Sequence, residues 1–326
     1  MLRRQVLLGA GGMLAHRTVS AVRLNPAWPR ALTMGTARPG GIYAVYGPAW
    51  GAIAQRATGV NVAYRATEGA QENIILIDDA QVDLGMTTLG VAREAWTGTG
   101  RWTQGVRFHN IRALFPMYET AFHGVARPAS AIADASALAG RVLGVGPRGG
   151  TAGAYVPTML RVLGIHPSAI RYGSVADQVG AVVAGRLDAC LFAAGVPVPA
   201  FAAAQNRGAT RLFGFSPPQI GRLVSALPGL STSVIDRGTY QGLAHDLKVA
   251  VMFNFAIGRA SLPDDLVQTM TRAVMTKAGR LCIATPAAVG TIAANAARDR
   301  FLPFHPGAAR YFRQAGVAIP PRLVAG

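Results

Sequence analysis

Short apolar runs alternate with segments of helical periodicity along most of the chain. Residues 31–35 predict a strand, and Gly40-Gly41 opens a helix carrying Ile42, Val45, Ala49 and Ile53 at helical spacing, which Pro48 is expected to break or kink. Residues 60–64 alternate as a strand, 70–79 predict a helix, 82–87 a strand, and 111–115 a strand ended by Pro116. A second series follows, with strands at 141–145, 170–172 and 187–192. Between them lie one helix carrying Val156, Met159, Leu160 and Leu163 on one face, ended by Gly164, and another at 174–184. Residues 216–239 read as a long connection, and the last part reads as helical, with Pro263-Asp264-Asp265 opening a helix. The βαβα rhythm predicts a parallel or mostly parallel sheet with helices on both faces, and its repetition predicts two lobes.

The N-terminus has a different pattern. Arg3-Arg4 precedes a continuous apolar run, residues 5–15, and Val19-Ser20-Ala21 offers a cleavage site between small residues. Residues 1–21 therefore read as an export signal, of general or twin-arginine type, too short to span a bilayer. The expected location of the mature chain is the periplasm.

Composition narrows the classes. Over 326 residues, 51% are hydrophobic and 14% charged, enough to fill the cores of two α/β lobes. The net charge is +17, and of 32 basic residues only Lys248 and Lys277 are lysines. The arginines are dispersed, whereas a nucleic-acid surface concentrates them in a stripe, so no nucleic-acid partner is expected; the pattern reads as an arginine-rich solvated surface, with a field that steers anionic ligands as the alternative. Two cysteines, Cys190 and Cys282, make no disulfide framework. The six histidines have no metal-ligand spacing, so no metal is expected.

Candidate chemistry lies in turns. Gly144-Val145-Gly146-Pro147-Arg148-Gly149 matches the dinucleotide pattern between strand and helix, but no acidic residue ends the following strand, near Arg171-Tyr172. The same turn suits any anion, since amides of Gly149, Gly150 and Thr151 open a helix and Arg148 can add a guanidinium. Gly35 to Tyr43, Thr67-Glu68-Gly69, Thr87-Thr88 and Ala194 to Pro197 are further strand-to-helix turns. Such turns line the crevice of open α/β sheets, and without a catalytic constellation they read as a binding cleft rather than an enzyme.

The order of these pieces resembles the TAXI family of solute-binding proteins, which serve TRAP transporters. Gly35-Thr36 with Gly40-Gly41-Ile42-Tyr43 looks like its G-T-x-x-x-G-G-x-Y turn. Thr67 to Asn73 resembles T-x-G-S-x-E-N, and Ala80 to Leu84 its G-x-A-D-L strand. Gly146 to Thr151 resembles G-x-x-G-S-G-T, and Gly185 to Ala189 with Gly195-Val196-Pro197 fits its next pair. Pro303 to Ala308 with Tyr311 and Gly316 looks like the C-terminal signature. The resemblance implies a type II periplasmic-binding-protein fold, two α/β lobes around a ligand cleft. Lobe I would comprise 30–118 and 234–326, and lobe II 119–233. It implies a small carboxylate ligand, glutamate-like or a dicarboxylate, no cofactor, and a TRAP permease as partner to a monomer. Ala70, Thr88 and Ala44 depart from the family pattern, which removes the basis for assigning glutamate itself. The ligand-contacting set would be Arg38, Gly41, Tyr43, Thr67, Glu68, Thr87, Thr88, Arg148, Gly149, Gly150, Thr151 and Gly195. His305 is expected to hold the C-terminal turn. Two alternatives stand beside this reading: an NAD(P)-dependent oxidoreductase using the Gly144 turn, and a ligand-binding sensor module.

Overall fold

The computed structural model describes residues 25–324, so the export-signal reading of 1–21 lies outside the described residues. The first series forms β1 (Ala31–Gly35), α1 (Tyr43–Thr58), β2 (Asn61–Arg65), α2 (Ala70–Asp78), β3 (Leu84–Thr88) and α3 (Leu89–Thr97). A long strand, β4 (Ile111–Ala126), leads to β5 (Val142–Gly144), α4 (Thr151–Leu163), β6 (Ala169–Arg171), α5 (Val175–Val183), β7 (Ala189–Ala194) and α6 (Pro199–Gln205). The chain then makes β8 (Arg211–Phe213), α7 (Pro217–Ala226), β9 (Leu230–Ile235) and a second long strand, β10 (Leu247–Arg259), before α8 (Asp264–Thr276) and α9 (Pro306–Gln314).

The strands run in the order β2-β1-β3-β10-β4-β7-β5-β6, with β8 beside β4 and β9 beside β10. At either end the ladders are parallel, β2-β1-β3 and β7-β5-β6. In the middle they are antiparallel, because β10 runs against β3 and β4, and β4 against β7. The expected mostly parallel sheet therefore holds only within each lobe, and the antiparallel pair β4/β10 joins the two. Together this is an α/β fold of two lobes, the type II periplasmic-binding-protein arrangement.

Three sequence expectations change. Pro48 does not break α1, whose buried face of Tyr46, Trp50 and Ile53 is anchored in the core. Burial of those large side chains outweighs the ~3 kcal/mol that an interior proline costs. Pro116 does not end β4. Phe255 pairs with Pro116 and Phe253 with Glu119, so Met117 and Tyr118 together face Asn254. This is a β-bulge, one of the few places in a sheet that accept a residue without an N–H. Finally, 216–239 is not plain connection: α7 begins after Ser216, whose N–H is bonded by the Gln219 side chain at 2.8 Å, and β9 follows.

The core is continuous across both lobes. Trp50 meets Phe115 edge-on at 5.3 Å, and Phe255, Phe304 and Phe312 form a chain of edge-to-face contacts between β10 and α9. His305 is buried at the head of α9, and its Nδ1 accepts the Gly307 N–H at 3.2 Å, which fixes that turn.

Candidate functional site

The two lobes touch along one seam. The Gln71 N–H, at the start of α2, donates to the Gly149 carbonyl at 2.9 Å. Gly69 has φ +120°, and a Cβ there would lie 3.3 Å from the Gly150 Cα, so the seam needs both the backbone freedom and the missing side chain. Thr88 and Thr151 bring their hydroxyls to 3.4 Å across the same seam.

Behind the seam lies a cavity of about 60 Å³. Its floor is the bulge. Asn254 is fully buried on β10, and its amide donates to the Tyr118 carbonyl at 2.7 Å while its Oδ1 accepts the Tyr43 hydroxyl at 2.6 Å and the Thr120 hydroxyl at 3.1 Å. One side chain thus repairs the carbonyl that the bulge leaves out of the ladder and orients two hydroxyl-bearing residues that line the cavity. The Tyr118 hydroxyl is buried and has no hydrogen-bond partner among the described residues. Burial pushes the Tyr43 and Tyr118 phenols well above their ordinary pKa, so both stay neutral donors.

One wall is the N-terminus of α4, which meets the cavity through Gly150 and Thr151 with no side chain capping its first turn. Uncapped N–H groups and the helix dipole favour negative charge there. Beside it, packed against Gly149 and Gly150, stands the Arg38–Glu68 ion pair, in which Glu68 holds the guanidinium pKa above its usual value. The remaining lining is largely apolar, including Ile42, Val175 and Phe192. Among the described residues, no three His, Cys, Asp or Glu side chains converge as a metal site would require.

Six of the expected contact residues therefore line one cavity: Arg38, Gly41, Tyr43, Glu68, Gly150 and Thr151. The other six lie elsewhere. The Thr67 hydroxyl is 2.8 Å from Asn73 Oδ1 and 3.0 Å from the Thr36 carbonyl, and it accepts the Gly69 N–H, so it is used up in shaping the turn. Thr87 and Thr88 are fully buried beneath the seam. Gly149 packs against Glu68, and Gly195 against the Tyr118 ring. Arg148 stacks on Tyr172 at 3.9 Å on the far side of the seam, because the chain at 147–150 presents its backbone to the cavity and the Arg148 side chain away from it. Tyr118, Thr120 and Asn254 were missed. A lone Asn inside the apolar run of β10 was their one sequence signal.

Two α/β lobes joined by a pair of long strands, with a small cavity at their seam, define the protein class: a chain with the periplasmic-binding-protein fold. The model of the NMT1-like family matches residues 34–316, and the chain belongs to that family. Among solved structures, MatC from Rhodopseudomonas palustris with bound malate is similar over 88% of this chain and 97% of its own, at 13% identity and a TM-score of 0.58. The periplasmic binding protein BugD is similar over 89% of this chain and 99% of its own, at 14% identity and a TM-score of 0.53. A further periplasmic transporter aligns over 81% of this chain and 88% of its own, at 14% identity and a TM-score of 0.53. At these identities the likeness is one of fold.

Proposed function

We propose that this chain is an extracytoplasmic solute-binding protein that captures a small organic anion between its lobes and hands it to a membrane transporter. The observation that carries the reading is the cavity itself, lined among apolar walls by an uncapped helix N-terminus and by Tyr118, whose buried hydroxyl has no hydrogen-bond partner among the described residues. A carboxylate satisfies both donors at once: its oxygens accept from the first turn of α4 and from Tyr118, while its carbon skeleton rests on Ile42, Val175 and Phe192. Tyr43 and Thr151 complete the polar lining. The malate bound in MatC is in keeping with this chemistry.

The finer assignment is a TAXI-type binding protein working with a TRAP permease, resting on the order of turn motifs. Residues 1–21 as an export signal and a periplasmic location belong to the same proposal, as do lobe boundaries at 118–119 and 233–234. Among the described residues, no helix is long and apolar enough to cross a membrane. The oxidoreductase alternative fares worse, because Glu68 and Gly69 of the other lobe pack directly over the turn that a pyrophosphate would need.

Thermal denaturation against amino acids, dicarboxylates, keto acids, aromatic acids and nucleotides tests the reading. A ligand at 100 times its Kd stabilises the fold by about 2.7 kcal/mol. A shift with one carboxylate class, reduced by about 1.5–3 kcal/mol of binding energy in Tyr118→Phe, is the expected result. A shift with NAD or NADP alone overturns it.

A further inference from the structure

The far side of the seam holds a second space. A groove of about 600 Å³ lies where Arg148 points, lined on one side by Gln71, Glu94, Arg101 and Trp102, and on the other by Arg161 and Tyr172. It is separated from the central cavity by the Gln71–Gly149 contact and the backbone at 147–150. Its volume falls in the range of about 300–1,000 Å³ typical of small-molecule sites.

Its charge is unbalanced. Arg101, Arg148 and Arg161 each bring five N–H donors, and among the described residues none of the three side chains forms an ion pair or a hydrogen bond. Among the described residues Arg38, Arg141, Arg259, Arg298 and Arg310 are each paired with a carboxylate and other exposed arginines, Arg56 and Arg207 among them, are not, so the convergence of three on one groove marks this place rather than the lack of a partner. The one carboxylate among the groove's described lining residues, Glu94, is already engaged: its Oε2 accepts the Trp102 Nε1–H at 2.8 Å. Its burial raises its pKa above the ordinary carboxylate value. Arg148 is held flat on the Tyr172 ring at 3.9 Å, so one of the three guanidiniums is oriented before any ligand arrives.

We propose that this groove is a second binding site, for a small oxyanion carrying two or more charges, a polyphosphate or polycarboxylate. Arg101 reaches it from the turn after α3, and Arg148 and Arg161 from the strand-to-helix turn and the helix of the other lobe. A multivalent anion there bridges the lobes and holds the seam shut from outside. A monovalent anion cannot neutralise guanidiniums on both sides, which sets the class.

The test is calorimetric titration of the full chain with inorganic pyrophosphate, followed in parallel by tryptophan fluorescence. One-to-one binding is expected, weakening at least tenfold in Arg101→Ala/Arg161→Ala and falling steeply with added salt. Both arginines are exposed, so the double variant should keep the wild-type melting temperature, which is checked first. Tyr118→Phe, which alters the central cavity alone, should leave pyrophosphate binding unchanged. Absence of binding at millimolar pyrophosphate overturns the proposal. So does binding that the arginine variant leaves intact, or that Tyr118→Phe abolishes, since the anion then sits elsewhere.

Discussion

Asn254 holds the site together at the scale of a single residue. It is fully buried and makes contacts to Tyr43, Tyr118 and Thr120. Asn254→Leu keeps the volume but orphans two hydroxyls and a bulge carbonyl. A loss of about 2–4 kcal/mol in urea unfolding is expected, at roughly 1–3 kcal/mol per unsatisfied group with partial relaxation. Two buried ionisable groups set the pH response with opposite signs. His123 is held neutral between the Ala121 carbonyl and the Tyr240 hydroxyl, and burial lowers its pKa to about 4. Its folded pKa lies below the unfolded value, so its neutral form favours the fold above pH ~6.5, and that contribution is lost as pH falls toward 4. Asp299 is buried with Oδ2 unpartnered, and its pKa is raised to about 6. Its folded pKa lies above the unfolded one, so stability is gained as pH falls from about 6 toward 4. Relative to Asp299→Asn, the wild-type chain should therefore gain up to about 3 kcal/mol over that interval, at 1.36 kcal/mol per pKa unit. Chemical denaturation of both proteins at pH 7, 5 and 4 reads this difference, and a constant difference would refute it.

Elements were legible where their pattern was local. The turns at Gly40, Gly69 and Gly149 and the helices after them follow from small residues, caps and periodicity, and α2, α4 and α5 start within a residue of their expected positions. The two long strands were not legible. β10 is buried on nearly all of its length, so it shows no alternation, and its apolar run is as compatible with a core helix. β4 was cut at Pro116 because a proline in a strand is acceptable only at a bulge, and a bulge exists only once the partner strand is known. The seam is a property of paired elements, the starts of α2 and α4. Gly69→Ala places a side chain in a left-handed backbone region against Gly150. It should weaken ligand-induced thermal shifts and lower stability by about 1–3 kcal/mol, whereas Gly140→Ala, at positive φ but with open space around it, should lower stability alone.

At the scale of the whole molecule, β4 and β10 carry one continuous core through both lobes, and the relative placement of the lobes decides what each turn does. Alternating periodicity and the glycine-rich turns were enough to determine an α/β chain of two lobes, because those features depend on neighbours a few residues apart. Six expected contact residues meet at one cavity for that reason. Tertiary structure alone decided that Thr67 spends its hydroxyl on Asn73, that Arg148 faces the outer groove, and that Tyr118 and Asn254, 136 residues apart, build the floor. The direction of a side chain at a turn and the pairing of distant strands depend on where the other lobe lies, and no local pattern encodes that.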